Sequence, residues 1–449
     1  MQSNKSEVIE KLRIANNLDY TVNRSLSAVK EANWSRQPFN VGDVGSVTSG
    51  KSVERIIHTN GDYIDMAKSY LHFNVKLIGT VPPKSANYEE DLCCFGNNGS
   101  ALNLIKEIEI KSKDGQIVEH LRAVDLINNT RLKYSKTEDY VEHEGSAFLC
   151  HPSRDRDIDL AAVAGAGPTA GFKTTWTNDR VTDRIATAGG ITVCIPLSII
   201  CGLAKTKVLM PDQLLSGLSF NVVFNDFNKV FYRKGAFLDA TYPDRDYEIT
   251  ELYLRMAHFT LTDAMSARLA QIAKSEGGLK VLFDTYYHQQ QDGKQEMTVN
   301  VRKNIAQALT LTAKTRNVAD INKEDKEEQN SAPFGNLQYQ FFHGSRPFPL
   351  ERIKNNTEAY MQAIRAFDGA REVSSDCAVT SAEFGGNYGV ASYNWRRSQD
   401  MSLSGVALSN ASTLSYEVTH PNATERRVDL YLEHSVLLTV YTGNVIVES

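Results

Sequence analysis

From Tyr63 to Leu77 apolar and polar side chains alternate. Leu71, Phe73, Val75 and Leu77 fall on one face of an extended chain, with His72, Asn74 and Lys76 on the other. That is the pattern of a strand with one buried side. The same period returns at Ile105 to Ile110, which runs through Lys113-Asp114-Gly115-Gln116 into Ile117-Val118; Asp-Gly between alternating apolar residues predicts a hairpin. A short helix is expected next, with Leu121, Val124, Ile127 and Leu132 on one side. Strands follow at Ile191 to Leu197 and over Val208 to Phe224, where Leu218, Phe220, Val222 and Phe224 alternate.

The polar, turn-rich stretch Tyr242-Pro243-Asp244-Arg245-Asp246 separates this half from a second cycle that opens at Tyr247. Its expected elements begin with a strand at Ile249 to Met256 and a helix at Asp263 to Lys274, with Asp263 as N-cap and Gly277 past its end. Strands are expected at Val281 to Tyr287, Met297 to Val301 and Ala308 to Ala313, then a charged loop at Asp320 to Asn330. A helix at Glu358 to Phe367, capped by Asn356 or Thr357 and stopped by Gly369, precedes strands at Leu403 to Leu408, Leu414 to Val418, Val428 to Leu432 and Val436 to Val447. Many short strands with few helices predict a sandwich or jelly roll in each half.

The first forty residues read differently. Val8, Leu12, Ala15, Val22, Leu26 and Val29 recur at steps of three, four or seven until Trp34 and Pro38 end the pattern, which predicts amphipathic helical pieces. Such a stripe either packs on its own domain or reaches a neighbour as an arm. The resulting division is an arm over 1–39, one β unit over 40–241 and another over 247–449.

Composition narrows the function classes. At 449 residues, with 41% hydrophobic and 23% charged residues, the chain suits two globular domains of about 200 residues each. A formal net charge of −5 argues against a surface that coats nucleic acid, which needs a dense Lys/Arg stripe. A run of apolar residues long enough to span a membrane is missing and the first residues are polar, so neither a membrane span nor a signal peptide is expected. Cys93, Cys94, Cys150, Cys194, Cys201 and Cys377 are sparse and are expected as reduced thiols, Cys194 as a small hydrophobe within Ile191 to Ile195.

Candidate chemistry is thin. Asp155, Asp157 and Asp159 space three carboxylates as a calcium loop begins, but Leu160 sits where the turn wants Gly and Ala166 where a bidentate Glu belongs. Gly165, Gly167 and Gly171 lack the strand-turn-helix setting and the Lys-Ser/Thr pair of a phosphate loop; Ala161 to Gly171 reads as a long loop. The histidines form no metal-ligand spacing, and no nucleophile elbow is present. Lone His72 and His258 read as outward-facing or satisfied strand residues. Tyr286-Tyr287-His288-Gln289-Gln290-Gln291 and Phe341-Phe342-His343-Gly344-Ser345-Arg346-Pro347 could stack on sugars or bases, though packing is the commoner cause of such clusters. No catalytic, cofactor or metal residue is assigned. An acidic, all-β chain of this kind suits a building block; a cellular β-sandwich scaffold or adaptor and a carbohydrate-binding or carbohydrate-active sandwich remain as alternatives.

An ordered set of segments resembles the double jelly-roll major capsid proteins of the virophage, polinton-like and adenovirus-like DNA viruses. Asp62 to Leu71 is similar to that family's opening strand, followed by Asn103-Leu104-Ile105, Glu107-Ile108-Glu109-Ile110 and Lys113-Asp114-Gly115-Gln116. Ile195-Pro196-Leu197-Ser198, Leu209-Met210-Pro211 and Leu218 to Phe224 resemble the end of its first roll. Tyr339 to Pro349, Ala359-Tyr360 and Leu403-Ser404-Gly405-Val406 resemble segments of its second. The resemblance implies two tandem eight-stranded jelly rolls with a few short helices and a helical N-terminal arm. It further implies a homotrimeric, pseudo-hexameric capsomer in an icosahedral virion, assembled inside the host cell. Implied partners are neighbouring capsomers, penton and minor capsid or cement proteins, and the inner shell through the arm. No enzyme activity, cofactor, strong nucleic-acid binding or membrane insertion is implied.

Overall fold

The structure, a computed structural model, describes residues 29–42, 45–79, 92–93, 100–137, 140, 143–148, 190–206, 208–233, 246–274, 278–294, 296–301, 305–321, 331–332, 338–367, 379, 381–396, 405–408, 414–420, 424–441 and 444–448. The first half supplies β1 (Val29–Pro38), β2 (Ser52–Ile56), β3 (Tyr63–Ile78), β4 (Ile105–Lys111), β5 (Ile117–Arg122), β6 (Ile191–Pro196), β7 (Ser219–Phe224) and β8 (Asp246–Leu261). They pair antiparallel in two sheets, ordered β1-β8-β3-β6 and β2-β7-β4-β5.

The second half supplies β9 (Leu279–Gly293), β10 (Glu296–Val301), β11 (Ile305–Asn317), β12 (Gln338–His343), β13 (Arg346–Ile353), β14 (Val390–Asn394), β15 (Leu414–Thr419) and β16 (Arg426–Tyr441). Their orders are β9-β16-β11-β14 and β10-β15-β12-β13. Each strand therefore occupies the position of the one eight before it. This order, in which the last strand returns between the first and the third, is that of a jelly roll. Helices repeat the correspondence: α1 (Val124–Ser135) follows β5, and α3 (Asn356–Ala366) follows β13, while α2 (Asp263–Lys274) joins the halves.

The alternation of β3 decides which face is buried. Leu71, Phe73 and Val75 are fully buried and Leu77 nearly so, whereas His72 and Asn74 are half-buried and Lys76 is exposed. Phe73 meets Phe224 of the opposing sheet edge-on at 6.5 Å, and burying such a side chain contributes about 1.5–3 kcal/mol. In the second roll Tyr339, Phe341 and Tyr416 are buried on one sheet, and Phe341 meets Tyr393 of the opposing sheet at 6.5 Å. A single cluster of buried apolar residues runs through both rolls. The Asp114-Gly115 turn is the expected hairpin: Gly115 takes φ +80 and donates to the Ser112 carbonyl at 2.9 Å.

Several expectations are corrected. Val29, the last residue of the predicted helical stripe, opens a strand instead, because β8 offers it a free edge; residues 1–28, which carry the rest of the proposed arm, lie outside the described residues. The strand expected at Ile249 to Met256 as the opening of the second unit is part of β8, which is hydrogen-bonded between β1 and β3 of the first roll. The boundary predicted at Tyr242 to Asp246 thus falls between β7 and β8 of one roll, Tyr242 to Arg245 lying outside the described residues. Within Val208 to Phe224 only Ser219–Phe224 is a strand, Asp212–Leu215 forming a helical turn before it. The cap of α3 is Asn355, whose Oδ1 accepts from the Glu358 amide at 2.7 Å. Its buried residues are Ala359, Ala363 and Ala366; of the expected side, Phe367 is buried just past the helix end, while Tyr360 and Ile364 are half-buried. The strands predicted at Val428 to Leu432 and Val436 to Val447 are divided differently: Arg426–Tyr441 is one continuous strand, β16, and Asn444–Glu448 pairs back on it antiparallel. Gly277, Gly369 and the loops Ala161 to Gly171 and Lys323 to Asn330 fall outside the described residues.

Candidate functional site at the seam between the two jelly rolls

Helix α1 belongs to the first roll by sequence and to both by contact. All of its residues except Arg131 and Ser135 are buried, which explains why a one-sided stripe describes it poorly. Tyr134 stacks on Phe367 at 5.2 Å, with an interplanar angle of 16°, and its hydroxyl donates to the Tyr388 carbonyl at 2.8 Å. Lys314 Nζ of β11 donates to the Thr130 hydroxyl at 3.2 Å. Polar groups on the helix's other side are satisfied inside the first roll: Asn129 Nδ2 donates to Asn103 Oδ1 at 2.8 Å, and Ser100 Oγ to Asn129 Oδ1 at 2.7 Å.

Charges cross the seam beside the helix. Arg131 Nη2 lies 3.3 Å from Glu433 Oε1 of β16. Arg396 Nη2 lies 3.3 Å from the same oxygen and 2.9 Å from Asp284 Oδ2 of β9. The Thr310 hydroxyl donates to Glu433 Oε2 at 2.8 Å. Burial alone would raise the Glu433 carboxyl, but Arg131, Arg396 and Lys205 outweigh it and hold it at about 2. Glu119 of β5 closes the seam on the other side. Its Oε1 accepts from the Gly202 amide at 2.7 Å and from the Thr285 hydroxyl of the second roll at 2.6 Å. Burial pushes this carboxyl up, and these hydrogen bonds offset part of the rise.

Between the rolls an open cleft of about 800 Å³ is lined by Arg131, Lys136, Lys205, Arg396, Asp284 and Glu433, among others. Lys205 is exposed to this cleft, yet desolvation by the surrounding walls, followed by the Arg131 charge, lowers its ammonium to about 8. Deeper in the second roll, Asp429 receives Arg316 Nη2 at 2.8 Å and His288 Nε2 at 3.0 Å. Burial would raise this carboxyl; Arg316 and His288 reverse the effect and hold it well below the usual range.

The residues weighed from the sequence are used for packing. His258 is buried, with a ring nitrogen 2.5 Å from Ser35 Oγ and the other 3.5 Å from Asp62. His72 stacks on Tyr253 at 4.2 Å. Tyr286 is buried against Tyr431, ring centroids 5.7 Å apart, and Phe341 against Tyr416 at 5.1 Å, so the leading ring of each aromatic cluster is taken up in packing. Cys194 and Cys201 are free thiols; Cys201 is buried, while Cys194 lies on the face of β6 opposite the buried Val193 and Ile195 and is half-buried. Asp155, Asp157, Asp159, Gly165, Gly167, Gly171, Cys94, Cys150 and Cys377 fall outside the described residues. Among the described residues no group of three or more His, Cys, Asp or Glu is placed to hold a metal ion, and no helix is long and apolar enough to cross a membrane. The seam residues Arg131, Arg396, Asp284 and Glu433 were not singled out from the sequence; the available signal was a charged residue within otherwise apolar strand text, as at Leu430-Tyr431-Leu432-Glu433.

Two consecutive rolls of identical strand order, joined through a buried seam, define a double jelly-roll protein. The solved structures similar to it bear viral names. A chain in the 3.5 Å cryo-EM structure of the Sputnik virophage matches with TM-score 0.57 at 9% identity, over 96% of this chain and 91% of that one. PBCV-1 VP54, as fitted into a reconstruction of Sputnik, matches with TM-score 0.55 at 12% identity, over 96% and 98%. The mavirus major capsid protein matches with TM-score 0.51 at 12% identity, over 96% and 92%. No protein-family model and no curated protein matches the sequence, so the likeness is one of fold.

Proposed function

We propose that this chain is a major capsid protein, a structural subunit that trimerises into pseudo-hexameric capsomers and tiles an icosahedral virus shell. The observation that carries the reading is the repeat of one eight-strand order in two fused rolls. Three such chains present six similar units around one axis, and a closed ring of identical contacts satisfies sheet edges that would otherwise invite uncontrolled pairing. The fold's likeness to Sputnik, PBCV-1 and mavirus capsid structures over nearly the whole chain supports it. The proposed rolls span residues 29–261 and 279–448, with α2 as the link. In this reading the charges at the seam hold the two rolls in one rigid orientation and perform no catalysis. Neighbouring capsomers, penton and cement proteins are the proposed partners, and the virion is the proposed location.

Light scattering after size exclusion, followed by electron microscopy of the same fraction, tests the proposal. A stable species near 150 kDa, three times 50.0 kDa, with a hexagonal outline or spontaneous shells, is the expected result. A monomer unmoved by salt, pH or concentration would overturn it.

A further inference from the structure

The seam cleft carries more positive charge than the seam itself uses. Its walls hold Lys68, Arg131, Lys136, Lys205 and Arg396 against Glu144, Asp284 and Glu433, an excess of two cations in a chain whose net charge is −5. Asp284 and Glu433 are engaged by the two arginines. Lys68 has Asp65 at 3.5 Å. Lys136 lies over the Tyr140 ring at 4.4 Å, and neither Lys136 nor Lys205 has a carboxylate of the described residues within ion-pair distance. Ser135, Ser198 and Thr206 place hydroxyl groups on the same walls.

Cations that outnumber the carboxylates around one concavity repel one another, and an anion that enters relieves the repulsion. A cleft of about 800 Å³ is of ligand size, and it sits where two domains meet, a frequent place for small-molecule sites. We propose that the cleft binds a small, multiply charged phosphate compound. Its phosphoryl oxygens would accept from Lys136 and Lys205 of the first roll and face Arg396 of the second roll across the cleft. Because such a ligand binds the folded subunit and not the unfolded chain, it stabilises the fold by mass action. Inorganic polyphosphate and nucleoside triphosphates share the required chemistry.

The test uses the purified full-length chain in its native oligomeric form, titrated with tripolyphosphate and separately with adenosine triphosphate, at ionic strength held constant with sodium chloride. Calorimetry is expected to show saturable binding, with a matching rise in melting temperature. The Lys136→Gln/Lys205→Gln double variant is expected to weaken binding at least about tenfold, and Lys76→Gln, an exposed site outside the cleft, to leave it unchanged. Ser198→Glu adds a carboxylate to the wall without removing a lysine and is expected to weaken binding as well, which separates loss of the site from loss of the fold. Tighter binding of adenosine triphosphate than of tripolyphosphate would assign a nucleotide; the reverse order would assign an inorganic polyphosphate. A thermal shift reproduced by sodium chloride alone, or wild-type affinity in both cleft variants, would overturn the proposal.

Discussion

Asp429 shows how much one side chain decides here. It sits fully buried on β16 between Arg316 of β11 and His288 of β9, so its charge is counterbalanced only by groups that arrive from other strands. Asp429→Asn removes the negative charge those two groups face, and breaking a buried pair in this way costs about 3–5 kcal/mol; urea denaturation at neutral pH should register that loss. Glu433 makes a pH-dependent contribution. Its carboxyl is held at about 2 in the folded protein against an ordinary 4.5. A depressed carboxyl contributes stability that is fully present above the unfolded value and is lost as the pH falls through the folded one. The denaturation midpoint should therefore drop between pH 4.5 and 2, and Glu433→Gln should be less stable at neutral pH with a flatter profile over that window. These residues were legible only as charges inside strand text, because their partners lie far along the chain.

At the scale of elements, alternation located β3, β10 and β15, and the Asp114-Gly115 turn signal added the β4–β5 hairpin. It misplaced elements covered on both sides. Glu433-His434-Ser435 read as a break because its polar groups suggested water, whereas β16 continues and Glu433 meets Arg131 and Arg396. The small face of α3 was hidden for a related reason: Ala359, Ala363 and Ala366 are buried there, and alanines make a weak stripe in sequence. Close approach at the seam is equally silent. Gly202 has an ordinary helical backbone, φ −67 and ψ −39, so its lack of a side chain matters for space and not for conformation. A methyl group there would overlap the Asp284 carbonyl oxygen and crowd Glu119. Gly202→Ala is thus expected to cost about 1–3 kcal/mol as overpacking, measurable as a lowered midpoint in thermal or urea unfolding.

For the whole molecule, the seam settles most surfaces between the rolls but leaves outer edges open. Leu350 on the edge strand β13 is 81% exposed, an apolar group on a sheet edge that a neighbouring subunit would cover. Under the proposed trimeric assembly, Leu350→Asp should change subunit stability by no more than about 0.5 kcal/mol while lowering the trimer fraction seen by light scattering. The strand patterns, the doubled β architecture and the scarcity of reactive motifs were determined by sequence alone, because period-two alternation and turn chemistry are local. The placement of Asp246–Leu261 in the first roll and of Val29–Pro38 at its edge was decided only by the tertiary structure. So was the gathering of Arg131, Lys205, Arg396 and Glu433 around one cleft. These outcomes depend on hydrogen bonds and charges between residues up to several hundred positions apart, which no local pattern encodes.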